Sequence, residues 1–105
     1  MASTIQTKEE LLKLLLTHRK DIEKHGIKKL GVFGSFSRNQ AKRTSDVDFL
    51  VEFKPGKKNY DNFFQLAELL EHLCQRKIEL LTPESLSPHL ATSIHNEVEY
   101  VLGSN

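Results

Sequence analysis

Two aspartates, Asp46 and Asp48, stand two residues apart at the start of an apolar run that ends at Phe53. In a β-strand, side chains two apart point to the same face, with Cα atoms about 6.5–7 Å apart. Carboxylates this close repel each other unless a cation lies between them or one takes up a proton. Hard oxygen ligands of this kind suit Mg²⁺, which proteins hold through one or two carboxylates together with substrate phosphates. The pair therefore predicts a magnesium site.

A Gly-Ser pair, Gly34-Ser35, follows the preceding apolar run, Leu30–Phe33. Glycine lets the backbone approach a ligand closely, and serine adds a hydroxyl. A helix that begins here would present its free N–H groups to an anion. We therefore expect a phosphate cradle on the strand next to the aspartates. Arg38, one helical turn beyond the Gly-Ser pair, is placed to reach the same phosphates or to brace the carboxylates; the other interpretation is a purely structural ion pair.

The spacing of these residues resembles the signature of the DNA polymerase β-type nucleotidyltransferase superfamily. The residues that carry the resemblance are Gly34, Ser35, Arg38, Asp46 and Asp48. The chain's small size resembles that of the minimal, MntA-like branch of this superfamily. The resemblance runs from about residue 30 to about residue 88. Where relatives usually have glycine after the motif arginine, this chain has Asn39, the residue that best tolerates a left-handed backbone after glycine.

The resemblance implies a set of site residues. Asp46 and Asp48 would bridge two Mg²⁺ ions, and a third carboxylate is expected in the strand after the long helix. Glu79 falls at that place, where the family usually has aspartate; the other interpretation is an edge-strand glutamate that faces solvent. The resemblance implies nucleotide binding by Gly34, Ser35 and Arg38. Lys42 and Arg43 either add positive charge for phosphate or belong to a solvated connection.

The resemblance also implies a reaction and a partner. MntA-like proteins pair with HEPN-domain toxins encoded beside them, and they act as antitoxins by moving AMP from ATP onto a tyrosine of the toxin. The expected function is therefore Mg²⁺-dependent protein adenylylation, with ATP as substrate. Two alternatives stay open. A contact-only antitoxin would bind its partner without catalysis, and a third class would transfer nucleotides to a small molecule.

The local patterns predict an α/β (α+β) fold: a small mixed β-sheet with helices packed mainly on one face. A capping box at Thr7 and Glu10 begins a first helix, and Gly56 fits a type II turn over 54–57. The predicted helices cover about residues 8–24, 35–40, 60–75 and 89–96. The predicted strands cover about residues 28–33, 47–53, 77–81 and, at the end, 98–102.

Length and composition limit the class of protein. The 105 residues suit one domain, and 15 Lys+Arg against 14 Asp+Glu give no general attraction to nucleic acid. Cys74 is the single cysteine and is expected to be a buried residue rather than a nucleophile. No apolar run approaches a membrane span, and the first residues do not resemble a signal peptide. We therefore expect a cytoplasmic protein.

Overall fold

The computed structural model describes residues 5–103. Within these residues, helices are interspersed with the strands of one sheet, and a single 3₁₀ turn lies at Pro83–Ser85. The helices are α1 at Lys8–Thr17, α2 at Arg19–Glu23, α3 at Tyr60–Cys74 and α4 at Pro88–Glu97. The strands are β1 at Ile27–Phe33, β2 at Val47–Phe53, β3 at Ile78–Leu81 and β4 at Glu99–Gly103. Within residues 5–103, no helix is both long and apolar enough to cross a bilayer.

The sheet is mixed, as predicted, with the strand order β3-β2-β1-β4. β1 pairs antiparallel with both β2 and β4, whereas β3 runs parallel to β2. The register opposes Phe33 to Asp48 across β1 and β2. It opposes Asp48 to Glu79 across β2 and β3. The end of β1 and the starts of β2 and β3 therefore meet at the same edge of the sheet.

The two faces of the sheet carry separate apolar clusters. On one face, alternate residues of β2 such as Val47, Phe49 and Val51 are fully buried with residues of α1, α2 and α3. On the other face, Leu50 packs with Phe33 of β1 and with Ile94 of α4. Three helices thus cover one face, as predicted, and α4 covers part of the face that carries the aspartates.

Local signals fix most of the helix ends. Thr7 and Glu10 form the predicted capping box, and Ser87 accepts a hydrogen bond from the Leu90 N–H at the start of α4. The predicted helix over 8–24 is instead divided into α1 and α2 at His18, whose backbone leaves helical values. The Thr17 hydroxyl donates to the Lys13 carbonyl at 2.8 Å just before the break. A hydroxyl bonded four residues back bends a helix, which accounts for the division.

The segment after β1 differs from the prediction. A short helix over about 35–40 was expected, but these residues form a run of turns. Gly34 and Asn39 both have positive φ, +77° and +56°, so neither end of the segment is compatible with a helix. The left-handed backbone predicted for Asn39 is confirmed, as is the type II turn, in which Gly56 has a φ of +78° and the Lys57 N–H donates to the Lys54 carbonyl.

Candidate nucleotide and metal site

Gly34 is required by the close approach of β1 to the carboxylate of Asp48. A Cβ at this position would overlap the Asp48 side chain, and the φ of +77° is itself unfavourable for any residue with a Cβ. Since Phe33 and Asp48 are opposed in the sheet, the turn that begins at Gly34 starts beside this carboxylate. The sequence-predicted Gly-Ser pair and the second aspartate are therefore brought together.

The turn presents several backbone donors without protein partners. Its internal bonds run from the N–H groups of residues 38, 39 and 40 to the carbonyls of residues 34, 36 and 35. Within the described residues, the N–H groups of Ser35, Phe36 and Ser37 donate to no protein acceptor, and the half-buried Ser35 hydroxyl makes no hydrogen bond. Successive N–H groups in a turn bind anions. An anion site here would therefore be formed by a turn and not by the predicted helix N-terminus.

Asp46 and Asp48 differ in their surroundings. Asp46 is exposed and directly precedes β2, whereas Asp48 is half-buried within the strand. The pKa of Asp48 is raised from 3.8 to about 6, first by burial and then by the negative charges of Glu79, Asp46 and Glu97, while Arg38 acts in the opposite direction. A carboxyl group surrounded by like charges binds a cation readily. The oxygen donors near Asp48 therefore fit a divalent ion such as Mg²⁺.

Glu79 lies where the resemblance places the third carboxylate. It is opposed to Asp48 across the parallel pair β2 and β3, and its charge acts on Asp48. Its side chain is nevertheless exposed. Among residues 5–103, no three His, Cys, Asp or Glu side chains close around a common point as a ready metal site. Carboxylates repel each other when no cation lies between them. The separation of these side chains agrees with that repulsion.

Arg38 lies beside the turn but is held by a residue that sequence reasoning missed. Its Nη1 donates to Oε1 of Glu97, the last residue of α4, at 2.9 Å. The same carboxylate oxygen accepts a hydrogen bond from the N–H of Gly34. No sequence signal pointed to Glu97, because its partners lie about sixty residues earlier in the chain.

Arg76 is a second residue that the sequence did not single out. Its guanidinium donates to the carbonyls of Lys42, Arg43 and Ser45 at 2.9–3.0 Å. It also donates to the Ile5 carbonyl. Arg76 therefore fixes the backbone that leads directly into Asp46. The side chains of Lys42 and Arg43 in this connection are exposed. Arg76 therefore holds the backbone of these two residues and not their side chains.

An open pocket of about 470 Å³ adjoins this connection. It is lined by Asp46 together with the basic side chains Arg43, Arg76 and Lys77. Positive charge next to a carboxylate that is a candidate metal ligand suits a polyphosphate. Cys74 lies two residues before Arg76. It is buried as predicted, and burial raises the pKa of its thiol to about 12. Such a thiol is not a nucleophile at neutral pH.

Three comparisons place the chain among known proteins. A family model described as "Nucleotidyltransferase domain" matches residues 12–101. The protein adenylyltransferase MntA of Thermococcus cleftensis is 38% identical over 96 residues, which cover 90% of this chain and 96% of that protein. A solved structure of the minimal nucleotidyltransferase class superposes with a TM-score of 0.70 at 28% identity, covering 84% of this chain and 93% of the other.

A further solved structure shares the fold at lower identity. It is the complex of a tri-AMPylated Shewanella oneidensis HEPN toxin with an MNT antitoxin. The TM-score is 0.64 at 16% identity, and the match covers 93% of this chain and 74% of the other.

Proposed function

We propose, because the chain belongs to the nucleotidyltransferase domain family, that it transfers AMP from ATP to a tyrosine of a HEPN-type partner and so acts as an antitoxin. The observation that carries the proposal is the meeting of a turn with free N–H donors and a half-buried carboxylate of raised pKa at one edge of the sheet. The Thermococcus relative supports the protein acceptor, and the Shewanella complex supports AMP and a HEPN partner.

In this proposal the turn holds the triphosphate. The N–H groups and hydroxyl around Ser35 donate to the phosphate oxygens, and the guanidinium of Arg38 adds positive charge. Asp46, Asp48 and Glu79 would hold Mg²⁺, and a pair of ions fits the family's chemistry. When bound, the metal would neutralise the phosphate oxygens and lower the pKa of the attacking hydroxyl.

The chemical step is an in-line displacement at the α-phosphorus of ATP. The phenolic oxygen of the acceptor tyrosine forms a bond to the α-phosphorus, the bond to the bridging oxygen breaks, and pyrophosphate leaves with that oxygen. The phenolic proton passes to the carboxylate of Glu79, whose exposed position on β3 lets it meet an acceptor from another protein. Asp48 would bind the metal as a carboxylate, so a proton competes with the metal below its pKa of about 6.

The test is label transfer from α-labelled ATP in the presence of Mg²⁺, with and without a HEPN-type partner encoded beside this gene. We expect label on the partner with the wild-type chain and none with Asp46→Asn or Asp48→Asn. Asp61→Asn is the matched control, because Asp61 is an exposed aspartate in the first turn of α3. Label transfer that persists in both site variants would refute the assignment of the aspartates.

A second candidate function is neutralisation by contact alone. It is favoured by one observation: Glu79 is exposed, and the carboxylates of residues 5–103 do not close around a point. In that case the chain forms a stable complex with the partner, no label is transferred, and Asp48→Asn neutralises the partner as well as the wild type. The pair Asp46 and Asp48 argues for the catalytic function, because carboxylates that repel each other are unfavourable unless they hold a cation.

A further inference from the structure

Glu97 is attached to three residues of the turn that begins at Gly34. Its carboxylate oxygen Oε1 accepts hydrogen bonds from the Gly34 N–H and from Nη1 of Arg38. Its backbone carbonyl accepts a hydrogen bond from the Ser37 hydroxyl at 2.9 Å. One residue at the end of α4 therefore holds the first, fourth and fifth residues of the turn.

The donors that Glu97 occupies are different from the donors that stay free. Ser35, Phe36 and Ser37 keep their N–H groups unpaired within the described residues. Nη1 of Arg38 donates to Glu97, and its Nε donates to the Gln40 side chain at 3.2 Å. Its Nη2 donates to no acceptor among residues 5–103. Since a guanidinium has five N–H donors in a fixed plane, fixing one side of it sets the direction of the free side.

The turn has a conformation that needs such support. Gly34 and Asn39 lie in the left-handed region, and a left-handed non-glycine residue such as Asn39 persists only where its surroundings hold it. Hydrogen bonds to an ionised carboxylate are about twice as strong as neutral ones. Glu97 accepts two such hydrogen bonds, one from the Gly34 N–H at the start of the turn and one from the Arg38 side chain at its end.

We propose that Glu97 is a positioning residue of the nucleotide site, which clamps the turn and Arg38 in the orientation that receives the phosphates. This inference rests on the proposed function, because it assigns Glu97 a part in nucleotide binding. A negative charge next to a triphosphate would by itself weaken binding, so a positioning role is supported only if neutralising Glu97 makes nucleotide binding worse.

The experiment measures the dissociation constant of a non-hydrolysable ATP analogue with Mg²⁺ by calorimetry. The variants are Glu97→Gln, Arg38→Ala and the double variant. Glutamine keeps the shape, and its amide oxygen can still accept both hydrogen bonds, so what is lost is the negative charge that strengthens them. The matched control is Glu99→Gln, because Glu99 lies two residues further on and binds Lys8 at 2.7 Å instead of the turn.

We expect Glu97→Gln to weaken binding roughly tenfold, as the loss of one charge-assisted hydrogen bond would, and Glu99→Gln to leave it unchanged. In the Arg38→Ala background, Glu97→Gln should have a smaller effect, because only the hydrogen bond from the Gly34 N–H is left to be weakened. The amide proton of Gly34, followed by NMR, should move upfield in Glu97→Gln without nucleotide. Melting curves check that each variant is folded.

Four outcomes overturn the inference. Tighter binding in Glu97→Gln would mean that the carboxylate competes with phosphate, and equal losses with and without Arg38 would mean that Glu97 does not position Arg38. If the wild-type chain, with its Gly34 amide bonded to Glu97, binds no nucleotide at all, the proposed function fails and this inference fails with it. Binding by the wild type and equally by Glu97→Gln refutes the positioning role alone.

Discussion

Replacement of Asp48 by asparagine is expected to stabilise the metal-free protein while it abolishes activity. The carboxylate of Asp48 is half-buried in β2 among the charges of Glu79, Asp46 and Glu97. Ionising it there is unfavourable, which is why its pKa rises to about 6. Asparagine has nearly the same shape and carries no charge, so the folded state escapes this penalty at neutral pH.

The size of the effect follows from the pKa of Asp48. A rise from 3.8 to about 6 corresponds to an upper bound of about 3 kcal/mol of destabilisation once the group is ionised. Because the side chain is partly exposed, solvent screening reduces this to about 1–1.5 kcal/mol. For a domain of this size, about 1 kcal/mol shifts the melting temperature by about 4–8 °C.

The pH dependence has a definite sign. Below about pH 4, Asp48 is protonated in both the folded and the unfolded chain, so it adds no penalty. Between about pH 4 and pH 6 the unfolded chain loses the proton while the folded chain keeps it, and stability falls as pH rises. Above about pH 6 the full penalty is present. The gap between Asp48→Asn and the wild type should therefore open across this interval.

The assay is urea unfolding in a chelator at pH 4 and at pH 8, with Asp61→Asn as the exposed-aspartate control. We expect Asp48→Asn to match the wild type at pH 4 and to be about 1–1.5 kcal/mol more stable at pH 8. Adding Mg²⁺ should raise the stability of the wild type and not that of Asp48→Asn. A gap that is the same at both pH values, or a less stable Asp48→Asn at pH 8, would refute the reasoning.

Three other predictions concern the metal affinity of the site, the role of Arg76 and the reactivity of Cys74. Mg²⁺ affinity should be about tenfold weaker at pH 5 than at pH 8, because a proton competes for Asp48; a calorimetric titration that shows no pH dependence would contradict this. Arg76→Ala should lower the free energy of unfolding by about 2 kcal/mol and reduce label transfer, since four carbonyls lose their donor. Arg19→Ala, which removes only an exposed ion pair, should change stability by less than about 0.5 kcal/mol. Cys74 should resist a thiol reagent in the folded protein and react with one equivalent after unfolding, because its thiol is buried and has a pKa of about 12.

Features written in local patterns could be predicted from the sequence. The alternation of Val47, Phe49 and Val51 placed the aspartates on the opposite face of β2, and the structure has this arrangement. The capping box at Thr7 and the type II turn at Gly56 were likewise fixed by neighbouring residues. In each case the interacting groups lie within a few positions of one another, so the chemistry is visible in the sequence.

Features set by distant contacts could not be predicted. The segment after Gly34 was expected to be a helix because its local composition permits one, but contacts with Asp48 and Glu97 impose a turn. Arg76 and Glu97 look like ordinary charged residues in the sequence. Their roles come from partners 31 to 71 residues away, which no periodicity or spacing reveals.

The link between Gly34 and Glu97 also has a consequence for the order of folding. It joins residues 63 positions apart, and the bond between Arg76 and Ile5 joins residues 71 positions apart. Contacts of such long range form late, because the chain must first lose the entropy of closing a large loop. A partly folded chain with β1 and β2 already paired would still lack the clamp on its turn. The turn is thus expected to take its final shape only when α4 docks and β4 joins β1, so that the proposed ability to receive phosphate would coincide with completion of the fold.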